Sequence, residues 1–233
     1  MPYFYGIDMT YIIYVLPAVL LALWAQINVK STFAKYSKVP SDRGMTGRDA
    51  ARLILDANGL HHVQVTHVSG ELNDHFDPRE NIIRLSDSTY NNATAAAVGV
   101  AAHEAGHAVQ YAQNYFPIKL RSAIVPVTNI DSNLAMPLVL LGIIFSVPSI
   151  AYIGVLLFSL SVVFQLVTLP VEFNASKRAV AAIKDSGRVS EEGVQAAKKV
   201  LTAAALTYVA ALAVALGNLL RLIIIANRSK RDR

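Results

Sequence analysis

The chain is 233 residues long, 54% hydrophobic and only 16% charged, with a formal net charge of +5 and no cysteine. A soluble domain carries about a quarter charged residues, so this composition excludes an ordinary soluble domain, and the missing cysteines exclude disulfides and thiolate zinc sites. The positive balance points to basic residues flanking membrane spans rather than to a nucleic-acid partner.

The apolar residues are concentrated in three uncharged runs, residues 9–29, 132–171 and 200–220. A membrane-crossing helix needs about 20 apolar residues. The first and last runs fit one span each; the middle run fits two, broken as a hairpin near Ser146-Val147-Pro148-Ser149. Only Asp8 is charged ahead of the first run, which is also longer than a signal-peptide core, so it reads as an uncleaved anchor. Residues 30–120 then turn polar. Thr46 predicts the N-cap of a helix over residues 47–57, with Leu53, Ile54 and Ala57 on one face and Asn58-Gly59 as its stop. HHVQVTHV (61–68) alternates as a strand. A second strand, NIIRLS (81–86), follows the turn-forming Asp77-Pro78-Arg79-Glu80. Asn91 or Asn92 is expected to cap a long helix that ends near residues 114–117. Beyond it, residues 123–145 read as a span weakened by the polar cluster 128–133, and residues 150–170 as a cleaner one. Residues 171–187 continue as a helix in water, stopped by Gly187. Ser190, Glu191 and Glu192 open a last helix to about Asn227, ahead of the basic tail NRSKRDR.

The chemistry is carried by AAHEAGHAVQ (101–110). His103 and His107, at i and i+4, project from one helix face and can grip one ion. Glu104 lies about 100° round the helix, able to reach a water on that ion without ligating it, as metal-assisted peptide hydrolysis requires. The polar line continues through Gln110 and Asn114. Gly106 costs a helix about 1 kcal/mol, which implies that something packs closely against it. A catalytic zinc site needs a third protein ligand. The metzincin position, six residues after His107, holds Gln113, so that class is excluded. Gluzincins take a glutamate from a later helix, and Glu172 in LPVEFNASKRAV is the best candidate, because it ends the long uncharged run.

HEAGHAVQ together with EFNAS, separated by a transmembrane hairpin, resembles the membrane zinc metallopeptidases, most closely the bacterial YugP-type neutral zinc metallopeptidases, related in layout to the Ste24/HtpX peptidases. The resemblance covers essentially the whole chain. It implies one Zn2+ per chain held by His103, His107 and Glu172, with Glu104 as catalytic base. Where Ste24/HtpX enzymes carry Glu-x-x-x-Asp, this chain has Ser176 four residues after Glu172, so the residue supporting a ligating histidine is either Ser176 or Asn174. The expected fold is a mainly α membrane protein of about four transmembrane helices with a small α+β gluzincin-like catalytic domain. Its expected divisions are an N-terminal anchor (1–30), the zinc-protease domain (31–120), a transmembrane hairpin (121–171), the helix carrying the third ligand (172–199), and a last span with its tail (200–233).

Arg178, Tyr111 and Tyr90 are candidate donors to a transition-state oxyanion. The strand residues Asn81, Ile82, Ile83, Arg84 and Leu85 are expected to form an edge along which a polypeptide substrate lies as an extra strand. Asp74, His75 and Asp77 could bind a second ion, but a turn explains them more simply; His61, His62 and His67 fall in or near the strands. His103, His107 and Glu172 must lie on one side of the bilayer, which two intervening crossings allow. The basic residues after the first span (Lys30, Lys35, Lys38, Arg43, Arg48) and between the third and fourth (Lys177, Arg178, Lys184, Arg188, Lys198, Lys199) place that side in the cytoplasm of a bacterial cell. The basic tail then falls outside, against the same rule. The partners expected are a polypeptide substrate and the lipid bilayer, with no nucleic acid; oligomeric state is not legible. Two other readings stand beside the leading one. Asp131, at the edge of a span, could be the third ligand of an intramembrane protease, or the site could belong to a non-catalytic metal-binding scaffold.

Overall fold

The computed structural model describes the backbone of residues 3–4 and 7–231 and the side chains of residues 9–126, 128 and 134–227. In chain order, the short strands β1 (Tyr3–Phe4) and β2 (Ile7–Asp8) pair antiparallel, and a wide helical turn, Tyr11–Val15, leads into α1 (Leu16–Tyr36). Then follow α2 (Gly47–Ala57), β3 (Gln64–His67), β4 (His75–Asp77), β5 (Ile82–Leu85), α3 (Ala95–Ala112), α4 (Phe116–Ile144), α5 (Pro148–Asp185) and α6 (Glu191–Arg231). The chain forms two compact units, one of residues 1–25, 120–169 and 207–233, the other of residues 26–119 and 170–206.

The first unit is built from apolar helices. Among the described residues, three helices are long and apolar enough to cross a membrane: Tyr11–Tyr36, Pro148–Asp185 and Glu191–Asn227. In α4, Leu134–Ile144 forms a shorter apolar stretch. Large side chains such as Leu23, Trp24, Leu140, Leu156 and Leu220 stand exposed, a surface that fits a lipid environment. The turn expected between the two middle spans is present. Ser146 adopts a left-handed backbone with φ 53° and α5 opens on Pro148. Small residues bring the helices of this unit together: a β-carbon on Gly154 would sit 2.7 Å from the Ala135 carbonyl oxygen. Val139, Ala151, Val155, Leu222 and Ala226 close its buried cluster.

The second unit has a small sheet and a helical core. Thr46 caps α2 as expected: its hydroxyl accepts from the Asp49 amide (3.2 Å) while the Asp49 carboxylate accepts from the Thr46 amide (3.1 Å), a reciprocal cap that satisfies two otherwise orphaned donors. Ala51, Ile54 and Leu55 of α2 share one buried cluster with Ala101, Ala102, Ala105 and Val109 of α3, Ile83 and Leu85 of β5, and Ala179, Ile183, Ala197 and Leu201 of α5 and α6. The alanine-rich run of α3 is therefore protein core, its small side chains allowing close helix approach. Asp42 holds the start of α6, its carboxylate accepting from the Ser190 amide and hydroxyl at 3.0 Å each, while the Ser190 hydroxyl accepts from the Gly193 amide at 3.1 Å.

Two expectations are corrected here. The motif helix is capped by Thr94, whose hydroxyl accepts from the Ala97 amide at 3.2 Å, and not by Asn91 or Asn92. The Asn92 side chain donates instead to the Asp87 carbonyl (2.7 Å), and residues 93–95 pair with 39–41, through Ser41 N–H to Ala93 O and Ala95 N–H to Val39 O. The chain cannot turn helical until that pairing ends. The second correction concerns the strand of Asn81, Ile82, Ile83, Arg84 and Leu85, which is not an edge. The sheet order is β3-β5-β4, so β5 lies in the middle, parallel to β3 and antiparallel to β4. Asn81 stays outside it, in the left-handed conformation (φ 54°) that asparagine tolerates. The residues read as a turn ahead of β5 include a third strand, β4, and the outer strands of the sheet are β3 and β4.

Candidate metal centre

Three groups from two helices converge within the second unit. On α3, His103 and His107 lie one turn apart with their rings edge-on at 4.6 Å between centroids. From α5, Glu172 brings Oε2 to 3.1 Å from His103 Nε2 and 3.6 Å from His107 Nε2. All three candidate ligand atoms lie within 4.8 Å of one another, and this is the one such cluster of histidine and acidic side chains among the described residues. Glu172 is 2% exposed. A buried carboxylate is costly unless paired, and here it faces two imidazole nitrogens.

Gly106 explains how α5 comes so close. A β-carbon there would stand 2.7 Å from the Ala175 carbonyl oxygen, so the missing side chain is what admits α5 against α3. The close approach implied by a glycine inside the motif helix is thus present, and it sits between the two histidines on one helix and beside Glu172 on the other.

Glu104 is buried beside the cluster, and one of its oxygens, Oε2, accepts from the Phe76 amide of β4 at 3.0 Å. Burial pushes its carboxyl above the usual range, against the opposing pull of His103 and His107. Burial pulls the His107 imidazole down, but the hydrogen bond to Glu172 and the Glu104 charge outweigh it and leave His107 above its ordinary value.

Around the histidines, Ser176 Oγ lies 3.2 Å from His103 Nδ1. His107 Nδ1 is 3.0 Å from Gln110 Oε1, and the Gln110 amide donates to the Val171 carbonyl and to Asn174 Oδ1 at 2.9 Å each. Asn174 therefore touches Gln110 and not a histidine. Arg178 donates to Asn174 Oδ1 (2.6 Å) and Gln113 Oε1 (2.5 Å), with its guanidinium over the Tyr115 ring. Tyr111 stacks edge-on against Phe76 at 5.7 Å. Tyr90 is engaged elsewhere, beside His67 and under Arg48.

The acidic turn does not assemble a second ion site. Asp74 accepts from the Ser86 amide and hydroxyl at 2.8 Å each, and His75 Nδ1 faces the Asn73 carbonyl. The Arg79 amide and the Arg84 guanidinium hold the Asp77 carboxyl below its usual range. His61 pairs with Asp56 and His67 with Asp87. Asp131 belongs to α4, and its side chain lies outside the described residues. Sequence reasoning missed two contacts: Gln110 as the partner of His107, signalled only by its i+3 spacing, and the Phe76 amide, for which no local signal exists.

The profile of a family described as "Putative neutral zinc metallopeptidase" matches residues 11–227. The chain is also 46% identical over 217 residues to the "Putative membrane protease YugP" of Bacillus subtilis (strain 168), covering 93% of this chain and 96% of that protein. No solved structure matches it.

Proposed function

Because this chain belongs to the neutral zinc metallopeptidase family, we propose that it is a membrane-embedded, gluzincin-type endopeptidase that holds one zinc ion per chain through His103, His107 and Glu172, with Glu104 as general base. The observation that carries this reading is the buried Glu172 carboxylate set beside two imidazole Nε2 atoms, those of His103 and His107, which flank Glu104 on the motif helix. The donor set fits the ion: two histidines and one carboxylate, with no thiolate, is the set of catalytic rather than structural zinc. It also fits on hydrogen-bonding grounds. With Nδ1 donating to Gln110, a neutral His107 turns its Nε2 lone pair toward the Glu172 carboxylate 3.6 Å away, an arrangement that a cation between them resolves.

Zinc bound there would supply a Lewis acid that acidifies a water and polarises the scissile carbonyl. The protein's own part is proton handling and positioning. Phe76 N–H fixes one oxygen of Glu104, leaving the other free to take the proton of the attacking water and deliver it to the leaving nitrogen. Burial raises the proton affinity of that carboxylate, which suits a group that must accept a proton and then release it. The outer side of β4 adjoins Glu104 through the same amide, and an extended polypeptide lying beside it would bring its backbone to the base with little demand on side-chain identity. The basic residues that follow the first span and precede the last support a site on the cytoplasmic face.

A scaffold without chemistry has no use for a buried carboxylate between two ligands. An intramembrane reading through Asp131 is disfavoured because the motif helix buries its alanines in a polypeptide core. The test is the Glu104→Gln variant of the purified protein. It is expected to retain zinc and lose casein cleavage; a variant that sheds its metal would make Glu104 a ligand and overturn the assignment.

A further inference from the structure

The polar groups behind His107 form a chain whose donors and acceptors are fixed by chemistry. Arg178 Nε can only donate, so the Asn174 atom 2.6 Å away is the amide oxygen. The Val171 carbonyl can only accept, so the Gln110 atom 2.9 Å from it is the amide nitrogen, and that nitrogen also donates to the same Asn174 oxygen. Turning the Gln110 amide over would set its oxygen against two acceptors. With its nitrogen committed twice, Gln110 can offer His107 only its carbonyl oxygen, and His107 Nδ1, 3.0 Å away, must carry the hydrogen. The Gln110 side chain is fully buried, so water cannot replace either partner.

We infer that Gln110 is a positioning residue that fixes the His107 imidazole as its Nδ1–H tautomer, presenting the Nε2 lone pair to the metal, and that Val171 O, Asn174 and Arg178 hold the Gln110 amide in the orientation that does so. The zinc half of this inference rests on the proposed metal centre; the tautomer half does not. His103 is supported differently. Its Nδ1 meets the Ser176 hydroxyl, which can turn to donate or accept and so imposes no tautomer by itself. The two ligands therefore differ in what stands behind them: the Gln110 carbonyl oxygen fixes the hydrogen of His107 at Nδ1, and the Ser176 hydroxyl behind His103 fixes none.

The full-length protein in detergent gives two readouts. One is zinc affinity by competition with a chromophoric chelator. The other is the nitrogen-15 shifts of labelled histidines in the metal-free protein in alkaline buffer, which report the tautomer directly. Gln110→Met keeps the side-chain length and removes both its donor and its acceptor. Loss of such a partner typically weakens metal binding by about 10–100-fold, and that fall is expected together with a mixed His107 tautomer. Asn174→Asp retains the oxygen that both Gln110 and Arg178 use, so it is expected to keep wild-type affinity and the Nδ1–H form, while Asn174→Leu loosens both. Thermal unfolding of the metal-free variants checks that they are folded, and the Asn174 pair carries the comparison if Gln110→Met is not. Wild-type zinc affinity and an unchanged tautomer in Gln110→Met, or equal losses in Asn174→Asp and Asn174→Leu, overturn the inference. A wild-type protein that binds no zinc contradicts the metal centre itself, and the tautomer measurement then still decides the role of Gln110.

Discussion

Replacing Gly106 by alanine separates helix propensity from site geometry. In an isolated helix the change gains about 1 kcal/mol. Here the added β-carbon would stand 2.7 Å from the Ala175 carbonyl oxygen, about 0.7 Å inside the 3.4 Å at which ordinary van der Waals contact begins. The obstacle is backbone, and it cannot swing aside as a flexible side chain would. Either α3 or α5 must move, and Ala175 is three residues from Glu172 and adjacent to Ser176. Metal–ligand distances tolerate only about 0.2 Å, so a shift of this size on one side of the site is felt at the metal. Overpacking costs about 1–3 kcal/mol, enough to cancel the propensity gain. Gly106→Ala is therefore expected to lower zinc affinity at least about tenfold, equivalent to about 1.4 kcal/mol, and to lower the unfolding temperature of the metal-free protein. Chelator competition and thermal unfolding read the two effects. A variant that binds zinc normally and melts higher would show that the helix approach is not what shapes the site.

Two further outcomes follow from elements outside the metal cluster. Thr46→Ala removes the reciprocal cap with Asp49 and should cost about 1 kcal/mol of stability by denaturant titration, since α2 forms one wall of the core behind α3. Reporters inserted after Lys38 and near Gly187 should lie on the same side of the membrane, the cytoplasm, with opposite sides refuting a site shared by His103 and Glu172.

What the sequence made legible is what local chemistry decides. Thr46 as a cap, Asn58-Gly59 as a stop and the break at Ser146-Val147-Pro148 each depend on a few neighbouring residues, and each is present. Glu172 stood out because an acid closing an uncharged run must be compensated, and the fold sets it beside two imidazoles. Features decided by distant partners were not legible. Thr94 rather than Asn92 caps α3 because residues 39–41 occupy the intervening backbone. β4 is three residues long and gains its strand character only by pairing with β5, so the edge was assigned to the wrong strand. The Gln110 contacts required knowing which residues of α5 face α3, which no spacing within α3 reveals.

Which carboxylate completes the site is read most directly from the metal content, by mass spectrometry, of the purified wild type beside Glu172→Ala and Asp131→Asn. Stoichiometric zinc is expected in the wild type and in Asp131→Asn, with occupancy in Glu172→Ala falling well below it, because two histidines alone leave an incomplete ligand set. Full zinc in Glu172→Ala with little or none in Asp131→Asn would contradict the account and move the metal into the membrane.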